Sequence, residues 1–412
     1  MSSLWRIFWL EAIALLRSKT VAMLLLASAA WMVAFPRFVT GDGTAEGARE
    51  MYLHYSLGGV FAILLVSLLA SATGAVASEC AAKRLQLTIV RPVSPFAVAW
   101  GKAMAHVAAG ALVLGFAFVV AAAHVGLDGK CSHVIKPVME SEREEALKMY
   151  DAYMADPDTP DEVKKAKKPV VLRLLAQRAG DHYQTIAAGS SARWNFEGVQ
   201  GTTNAVVRLR FSTMFDSRQD VVGSFAFGDA KGAVSNQTQA VIAVPLDGSV
   251  GGDTLEFANL GANPVMLRPR KDIDVLVPAD GFAANLLRSY LTMVSIIALA
   301  VSFGVFLGAA LSRAVAMFTA MVVLALGEMS PGVIDQYPDR LETDRRDRIG
   351  LAITRFVERV TSPVSSASPL ERMSRDECVE WYSLLKVAAY DFALLPALLA
   401  ALSALVVYRR DY

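Results

Sequence analysis

Six long apolar stretches constrain the fold of this chain more than any other feature of its sequence. A helix needs about 20 mostly apolar residues to cross the hydrocarbon core of a bilayer, and each stretch reaches or nearly reaches that length. The stretches run over residues 20–36, 53–77, 98–124, 285–311, 314–333 and 387–407. Because 54% of the 412 residues are hydrophobic and 19% are charged, the sequence predicts an α-helical bundle of six transmembrane helices with a water-exposed part.

Basic residues beside these stretches predict the orientation of the chain. The positive-inside rule places flanks rich in lysine and arginine in the cytoplasm, and an even number of spans brings all such flanks to one side. These residues are Arg6, Arg17 and Lys19 before the first stretch, Lys83, Arg84 and Arg91 between the second and third, and Arg409 and Arg410 after the sixth. We therefore expect a multi-pass protein of the inner (plasma) membrane with both termini cytoplasmic and residues 125–284 extracytoplasmic.

The chain before and within the first stretch has two interpretations. Basic residues ahead of a short apolar run that contains Ala27, Ala29 and Ala30 are typical of a signal peptide. The preceding segment places apolar side chains on one helical face, which favours a cytoplasmic amphipathic helix among lipid headgroups and is not needed by a signal peptide. Those side chains are Trp5, Phe8, Trp9, Ala12 and Leu16.

Residues 125–284 are predicted to form an extracytoplasmic α+β domain. Its first part, about 135–180, is charged and rich in helix formers. From about 182 to 280, short period-two runs broken by Gly, Asp, Asn and Pro predict a β-sandwich. The alternating apolar residues include Val207, Leu209 and Phe211, and the aromatic residues interpreted as core rather than as a ligand platform are Trp194 and Phe196. The domain either binds substrate or a periplasmic partner, or is a spacer.

A second outer stretch, residues 334–386, joins the last two predicted spans. Its apolar residues fall on one helical face, which predicts an amphipathic segment against the outer leaflet or the extracytoplasmic domain. Cys378 in this stretch and Cys131 are both external in this topology, while Cys80 is cytoplasmic. A disulfide between the two external cysteines stays open, because their distance does not follow from sequence. The apolar residues are Ile349, Ile353, Phe356, Val357 and Val360.

Residues 78–102, between the second and third stretches, form a short charged segment with a proline turn. On the predicted topology this segment is cytoplasmic, and a rigid connection between two spans is able to take force from a cytoplasmic partner. We therefore interpret it as the working joint of the chain. Its candidate contact residues are Glu79, Lys83, Arg84, Arg91, Pro92, Ser94, Pro95 and Lys102.

Few ionisable residues lie within the spans, where such groups are costly and often functional. His106 is in the third stretch, and Glu328 and Asp391 are near the ends of the fifth and sixth. Glu328 and Asp391 are candidates for a substrate path or gate, and the other interpretation is snorkelling to the interface. Small residues in the fourth stretch predict close helix packing, with a substrate path as the alternative. They are Gly304, Gly308, Ala309 and Ala310.

Several kinds of chemistry lack their sequence signature. There is no Gly-x-x-x-x-Gly-Lys-Ser/Thr loop for nucleotide phosphates, no Gly-x-Ser-x-Gly elbow, and no Cys-x-x-Cys or His-Glu-x-x-His metal motif. A net charge of +1 without a basic face argues against nucleic acid. Catalytic and metal sites are therefore not predicted. A membrane enzyme would have only His133, Asp181 and His182 as starting residues.

Together these features resemble the permease subunit of the ABC-2 type exporter family. In that family the segment between the second and third spans holds a coupling helix that fits an ATPase subunit, which the resemblance carries onto Glu79, Lys83, Arg84, Pro92, Ser94, Pro95 and Lys102. Some similar permeases carry a β-rich insert that ends in a Phe-x-x-Asn-Leu-x-Arg segment, as at 282–288 here. The large insert after the third span departs from the plainest members, whose loop there is small.

The resemblance implies a transport subunit without enzymatic activity or a cofactor of its own. It would pair with a second permease chain, identical or similar, and with ATP-binding cassette ATPase subunits that bind ATP and magnesium. Because the spans carry few charges, an amphipathic or apolar cargo is favoured over a free ion. The alternative is a membrane-anchored scaffold whose β-sandwich recruits partners without any transport.

Overall fold

The structure of the chain, a computed structural model, describes residues 3–38, 45–82, 93–157, 168–212, 220–237, 241–336 and 369–409. The chain divides into two compact units. Among the described residues, the helical unit comprises those up to Lys130 and those from Asp280 onward, and the β unit comprises those within Cys131–Ala279. The predicted amphipathic residues at 349–360 lie outside the described residues, as do Lys83, Arg84, Arg91, Pro92 and Arg410.

Apolar runs fold into helices, as their length and composition predict. The described helices are α1 (Ser3–Arg17), α2 (Lys19–Phe38), α3 (Ala45–Met51), α4 (Gly58–Ala81), α5 (Pro95–Val125), α6 (Glu142–Ala155), α7 (Lys168–Gly180), α8 (Phe282–Ala310), α9 (Arg313–Gln336), α10 (Pro369–Ser374), α11 (Trp381–Val387) and α12 (Leu395–Arg409). Two π-helical segments, π1 (Tyr52–Leu57) and π2 (Ala388–Leu394), connect α3 to α4 and α11 to α12. Such segments are rare and often occur at functional sites.

Five helices in the described part of the chain are long and apolar enough to cross a membrane. They are Lys19–Phe38, Gly47–Ala81, Pro95–Val125, Phe282–Ala310 and Trp381–Arg409. The remaining predicted span, 314–333, coincides with α9, whose described apolar part, Arg313–Ala325, is shorter than a span. A sixth span therefore stays a prediction, although the tight turn between α8 and α9 is as the sequence predicts.

Helix α8 lies in the core of the helical unit, packed against α4, α5 and α12. Its glycines allow this close approach: a Cβ atom added at Gly308 would lie 2.5 Å from the carbonyl oxygen of Thr73 on α4. Gly304 is similarly close to Leu69. The small residues of α8 thus serve helix packing, as the sequence predicts, and their partner is α4.

Segments in which apolar and polar residues alternate form the strands of the β unit. They are β1 (Lys130–Ile135), β2 (Gln184–Ile186), β3 (Ser191–Asn195), β4 (Val206–Arg210), β5 (Asp220–Gly228), β6 (Ala230–Gln237), β7 (Val241–Pro245), β8 (Val250–Asn259), β9 (Val265–Leu267) and β10 (Ile273–Gly281). Two four-stranded sheets have the orders β1-β10-β4-β7 and β3-β8-β5-β6, and β2 pairs with β9. Strand β10 is antiparallel to β4, with Val275 opposite Val207.

Both four-stranded sheets contribute to one hydrophobic core. The alternation in β4 is confirmed, since Val207, Leu209 and the following Phe211 are buried. Trp194 and Phe196 are also buried in this core, as predicted, and the indole Nε1 of Trp194 donates a hydrogen bond to Gln184. Shared burial by two sheets is the arrangement expected of a sandwich.

The predicted helical part of the β unit is formed by α6 and α7, which pack on each other through a small core of their own. Ser141 and Glu144 form a capping box at the start of α6, where each side chain bonds the backbone amide of the other residue. Acidic residues in the first turn add favourable charge at that helix end.

The three cysteines differ in oxidation state. Cys131 and Cys378 are disulfide-bonded, whereas Cys80 is a thiol. The oxidation of these cysteines is left open by the sequence, because distance in space is not readable from chain separation.

Candidate functional site

The start of α5 gives two of the predicted joint residues a structural role. The Ser94 hydroxyl accepts a hydrogen bond from the backbone amide of Ala97 at 3.2 Å and so caps the helix. Pro95 occupies the first turn, where its missing amide hydrogen is not needed. These residues therefore begin α5 immediately after the segment that connects it to α4.

Three helices meet at Lys102, and we call this contact the Lys102 junction. The ammonium group of Lys102 on α5 donates to Glu79 Oε1 at the end of α4, at 2.8 Å, and to Glu11 Oε2 on α1, at 3.1 Å. Only 6% of the Lys102 side chain is exposed, against 33% for Glu79 and 21% for Glu11. A buried ammonium group needs such partners, because an unpaired charge away from water is strongly unfavourable.

One turn further along α5, His106 makes a second link between α4 and α5. Its Nδ1 lies 2.9 Å from the carbonyl oxygen of Lys102, and its Nε2 lies 3.2 Å from the hydroxyl of Ser71. Because a carbonyl only accepts, Nδ1 carries the proton and Nε2 accepts from Ser71. The buried imidazole thus continues the Lys102 junction toward the middle of the helices.

The Lys102 junction unites two of the predicted joint residues, Glu79 and Lys102, and adds Glu11, which sequence reasoning missed. A signal for Glu11 was present, because it is the single acid in the otherwise apolar and basic helix α1. Of the other predicted joint residues, Ser94 and Pro95 shape the start of α5, and the remaining four lie outside the described residues.

The Phe-x-x-Asn-Leu-x-Arg segment at the start of α8 holds the chain that precedes α11, and we call this contact the Asn285 clamp. The Asn285 amide donates to the carbonyl oxygen of Glu377 at 2.9 Å and accepts from the backbone amide of Val379 at 2.7 Å. Asn285 is fully buried. One side chain therefore satisfies two backbone groups of the chain before α11.

The first and last residues of the same segment make further contacts. Arg288, with 1% of its surface exposed, pairs with Asp280 at 2.9 Å and has its guanidinium 5.3 Å from the centroid of the Trp381 ring. The Arg49 guanidinium lies 4.3 Å from the centroid of the Phe282 ring. The starts of α8, α11 and the helix Gly47–Ala81 are thereby held together by cation–π contacts.

The two candidate residues for a substrate path differ in what the structure describes. Glu328 belongs to α9, in a part whose side chains are outside the description. Asp391 lies in π2 with no exposed surface, and neither of its carboxylate oxygens has a hydrogen-bond partner among the described residues. Full burial places Asp391 inside the helical unit and not at a surface where it would snorkel.

Several ion pairs lie on the surface of the β unit. Asp181 bonds Lys271 at 2.7 Å, and this hydrogen bond lowers the pKa of the Asp181 carboxyl. The hydrogen bond from Arg193 likewise lowers the pKa of Glu256. Asp181, the acid among the starting residues for an enzyme, is thus an ion-pair partner of Lys271. Among the described residues, no group of three His, Cys, Asp or Glu side chains is arranged to hold a metal ion.

Comparison of the chain with protein families, with characterised proteins and with solved structures finds no match. A functional assignment therefore depends on the residues and contacts described above.

Proposed function

We propose that this chain is the membrane-spanning permease subunit of an ABC-2 type ABC transporter in the inner (plasma) membrane. It would form a dimer with a second permease chain and associate with ATP-binding cassette ATPase subunits, which bind ATP and magnesium. Its cargo would be amphipathic or apolar, exported by movement of the helices on either side of the segment 78–102.

The observation that carries this proposal is the Lys102 junction. Glu79 ends the helix before the segment, and Lys102 lies near the start of the helix after it. Their ion pair, with Glu11 of α1 as a third member, joins both sides of the segment and an amphipathic helix into one polar contact. Force applied to this segment by a partner would move α4 and α5 together, which is what coupling to an ATPase requires.

Two further observations support the orientation that the proposal needs. The thiol of Cys80 belongs to the side predicted to be cytoplasmic, and the disulfide-bonded residues Cys131 and Cys378 belong to the side predicted to be outside. In addition, Trp5 and Trp9 of α1 are about half exposed, although they are large and apolar. Exposed tryptophans beside Arg6 suit a helix at the cytoplasmic headgroup layer.

The test is purification of the full-length chain in mild detergent from its own host. We expect a protein with a Gly-x-x-x-x-Gly-Lys-Ser/Thr loop to co-purify, and the complex to hydrolyse ATP. Arg84→Glu should abolish this association, whereas Arg178→Glu, a matched charge reversal in the β unit, should retain it. Purification of the chain without any nucleotide-binding protein, under conditions that keep it folded, would contradict the proposal.

A specific observation favours a second candidate, the membrane-anchored scaffold. The β unit has a hydrophobic core of its own, so it is built like an independent module for binding a partner. The same purification separates the two functions. A scaffold would retain a partner through the β unit, would lose it when that unit is deleted, and would lack associated ATP hydrolysis.

A further inference from the structure

Asp391 is the most unusual titratable residue of the helical unit. It lies ten residues after Trp381 in the helix Trp381–Arg409, which corresponds to a depth of about 15 Å along the axis. Its side chain has no exposed surface, and both carboxylate oxygens lack a partner among the described residues. It also lies in π2, where a wide turn interrupts the α-helical register.

The contact between Arg288 and Trp381 gives the level of Asp391 along α8. Arg288 contacts Trp381 at the start of both helices, and α8 remains packed against π2 and α12 below that point. The two helices therefore run in the same direction, and Asp391 is level with a position ten residues after Arg288. That level falls between Ser295 and Ser302 of α8.

Helical spacing places a polar stripe on the face of α8 that carries Arg288. Residues four, seven and fourteen positions after Arg288 share this face, and they are Thr292, Ser295 and Ser302. All three are buried. Thr292 and Ser295 donate hydrogen bonds to carbonyl oxygens of their own helix, whereas the Ser302 hydroxyl is buried without a partner among the described residues.

The charged and titratable groups on the helices packed against π2 are directed elsewhere. Arg288 is paired with Asp280, and the Tyr290 hydroxyl donates to the carbonyl oxygen of Ala111. The others are exposed, and they are Tyr382 and Lys386 on α11, Tyr390 in π2, and Tyr408 and Arg409 at the end of α12. Within the described residues, neither a cation nor a hydroxyl group of these helices pairs with Asp391.

We infer that Asp391 is a proton-binding site. An ionised carboxylate that is buried without a partner is strongly disfavoured, and the charge is removed when the group binds a proton. The carboxyl group is therefore protonated while the last helix packs against α8. Ionisation requires water to reach the carboxyl group, so the last helix, Trp381–Arg409, must move away from α8. The π turn gives that helix a place where its register can shift.

Proton binding at Asp391 is in this way linked to the packing of the last helix on α8. A lower pH favours the packed arrangement, and a higher pH favours separation. The inference goes beyond the permease function and does not depend on it, because it concerns the chain alone. Failure to find an ATPase partner would not affect the inference about Asp391. Failure of that inference would not affect the proposed permease function.

The first test is carbodiimide labelling of the full-length chain in lipid vesicles. Dicyclohexylcarbodiimide is apolar and adds to protonated carboxyl groups, so we expect an adduct on Asp391 at neutral pH, located by mass spectrometry. Labelling should fall about tenfold for each pH unit once the ionised form dominates. Asp391→Asn should lose the adduct, and Ser403→Ala, which alters another buried polar residue of the same helix, should keep it.

Three outcomes of this labelling would overturn the inference. An unlabelled Asp391 at neutral pH would mean that the carboxyl group is ionised. Equal labelling by a water-soluble carbodiimide would mean that the group is open to water. Protection by sodium ions at constant pH would mean that a metal ion, and not a proton, is the ligand.

The second test measures the linked movement. In a Cys80→Ser background, Ser302→Cys should react faster with N-ethylmaleimide as pH rises, and this acceleration should be lost with Asp391→Asn. Ser190→Cys, an exposed site in the β unit, provides the correction for the intrinsic pH dependence of a thiol. If Ser302→Cys accelerated equally in both backgrounds, after that correction, proton binding at Asp391 would not control the packing.

Discussion

Among single residues, Lys102 has the clearest energetic role, because its ammonium group satisfies two carboxylates at once. Lys102→Met keeps most of the side-chain volume but leaves Glu11 and Glu79 without their cation. We expect a loss of about 1–3 kcal/mol in the free energy of unfolding, less than for a fully buried pair because the carboxylates are partly exposed. The measurement is thermal unfolding in detergent.

The matched control for Lys102 is Lys148, which also bonds a glutamate but is exposed. Lys148→Met should leave the midpoint of unfolding unchanged, since exposed ion pairs contribute little. Equal effects of the two substitutions would mean that the Lys102 junction does not stabilise the helical unit.

Asn285 has a different role, because its partners are backbone groups. Asn285→Ala would remove the acceptor of the buried Val379 amide, at a cost of about 1–3 kcal/mol, and would also remove a donor to the carbonyl oxygen of Glu377. We expect faster hydrogen exchange at Val379 and faster proteolysis within 369–380. Asn285→Asp should have a smaller effect at Val379, because it retains the acceptor. Unchanged exchange in the alanine variant would exclude the clamp.

Between elements, the contact of α8 with α4 depends on glycine residues, which have no side chain to hold the helices apart. Gly308→Ala would place a methyl group 2.5 Å from a backbone oxygen of Thr73, so the two helices must separate. The expected loss is about 1–3 kcal/mol, as for other overpacked sites, and thermal unfolding in detergent measures it.

Gly115 on α5 provides the control for this packing. A methyl group there would first meet the Tyr290 hydroxyl at 3.5 Å, which is an ordinary contact. Gly115→Ala should therefore be neutral or stabilising, by up to about 1 kcal/mol from helix propensity. If Gly308→Ala were equally harmless, α8 and α4 would not be in close contact at that point.

Helices and strands show most clearly which features of the fold follow from the sequence and which do not. Long apolar runs predict, to within about six residues, five helices that are long enough to cross a membrane. Alternation predicts β4, because burial on one face leaves a local periodic signal. Sheet order leaves no such signal: β3 pairs with β8 about 60 residues away, and no local pattern selects that partner. The two π-helical segments are also not predictable from the sequence, because hydropathy reports the length of an apolar run and not the hydrogen-bond register of the helix.

The same distinction holds for the candidate site. Glu79 and Lys102 are predicted together because both flank one segment, whereas Glu11 is 91 residues from Lys102 and is joined to it only by the packing of α1 on α5. The role of Asn285 required knowledge of where 377–379 runs. The burial of Asp391 likewise follows from its neighbours, because a single acid near a span end has the same sequence pattern whether it is buried or exposed.

For the whole molecule, the separate core of the β unit predicts that a fragment of residues 130–281 with Cys131→Ala folds alone. Trp194 is its only tryptophan and lies in the core, so fluorescence should report a cooperative unfolding transition. A fragment without such a transition, or with a fully exposed tryptophan, would show that the β unit needs the helical unit.

The stability of this fragment should also depend on pH. The pKa values of Asp181 and Glu256 are lowered in the folded state by their hydrogen bonds to Lys271 and Arg193. The stabilisation is therefore complete above the unfolded-state pKa values of about 4 and is lost as the pH falls through the folded values. We expect a flat unfolding midpoint near neutrality and a decline below about pH 4, with a shallower decline in Asp181→Asn/Glu256→Gln. Identical profiles for variant and parent would contradict this assignment.

Orientation in the membrane is the property on which the proposed function depends most. A coupling segment is useful only if it shares a compartment with ATP, so Cys80 must be cytoplasmic while the β unit lies on the opposite side. In intact cells, a membrane-impermeant maleimide should label an introduced Ser190→Cys in the β unit and should label Cys80 only after lysis. The reverse pattern would place residues 78–102 outside the cell. No ATPase would reach them there, and the Lys102 junction would then have a structural role alone.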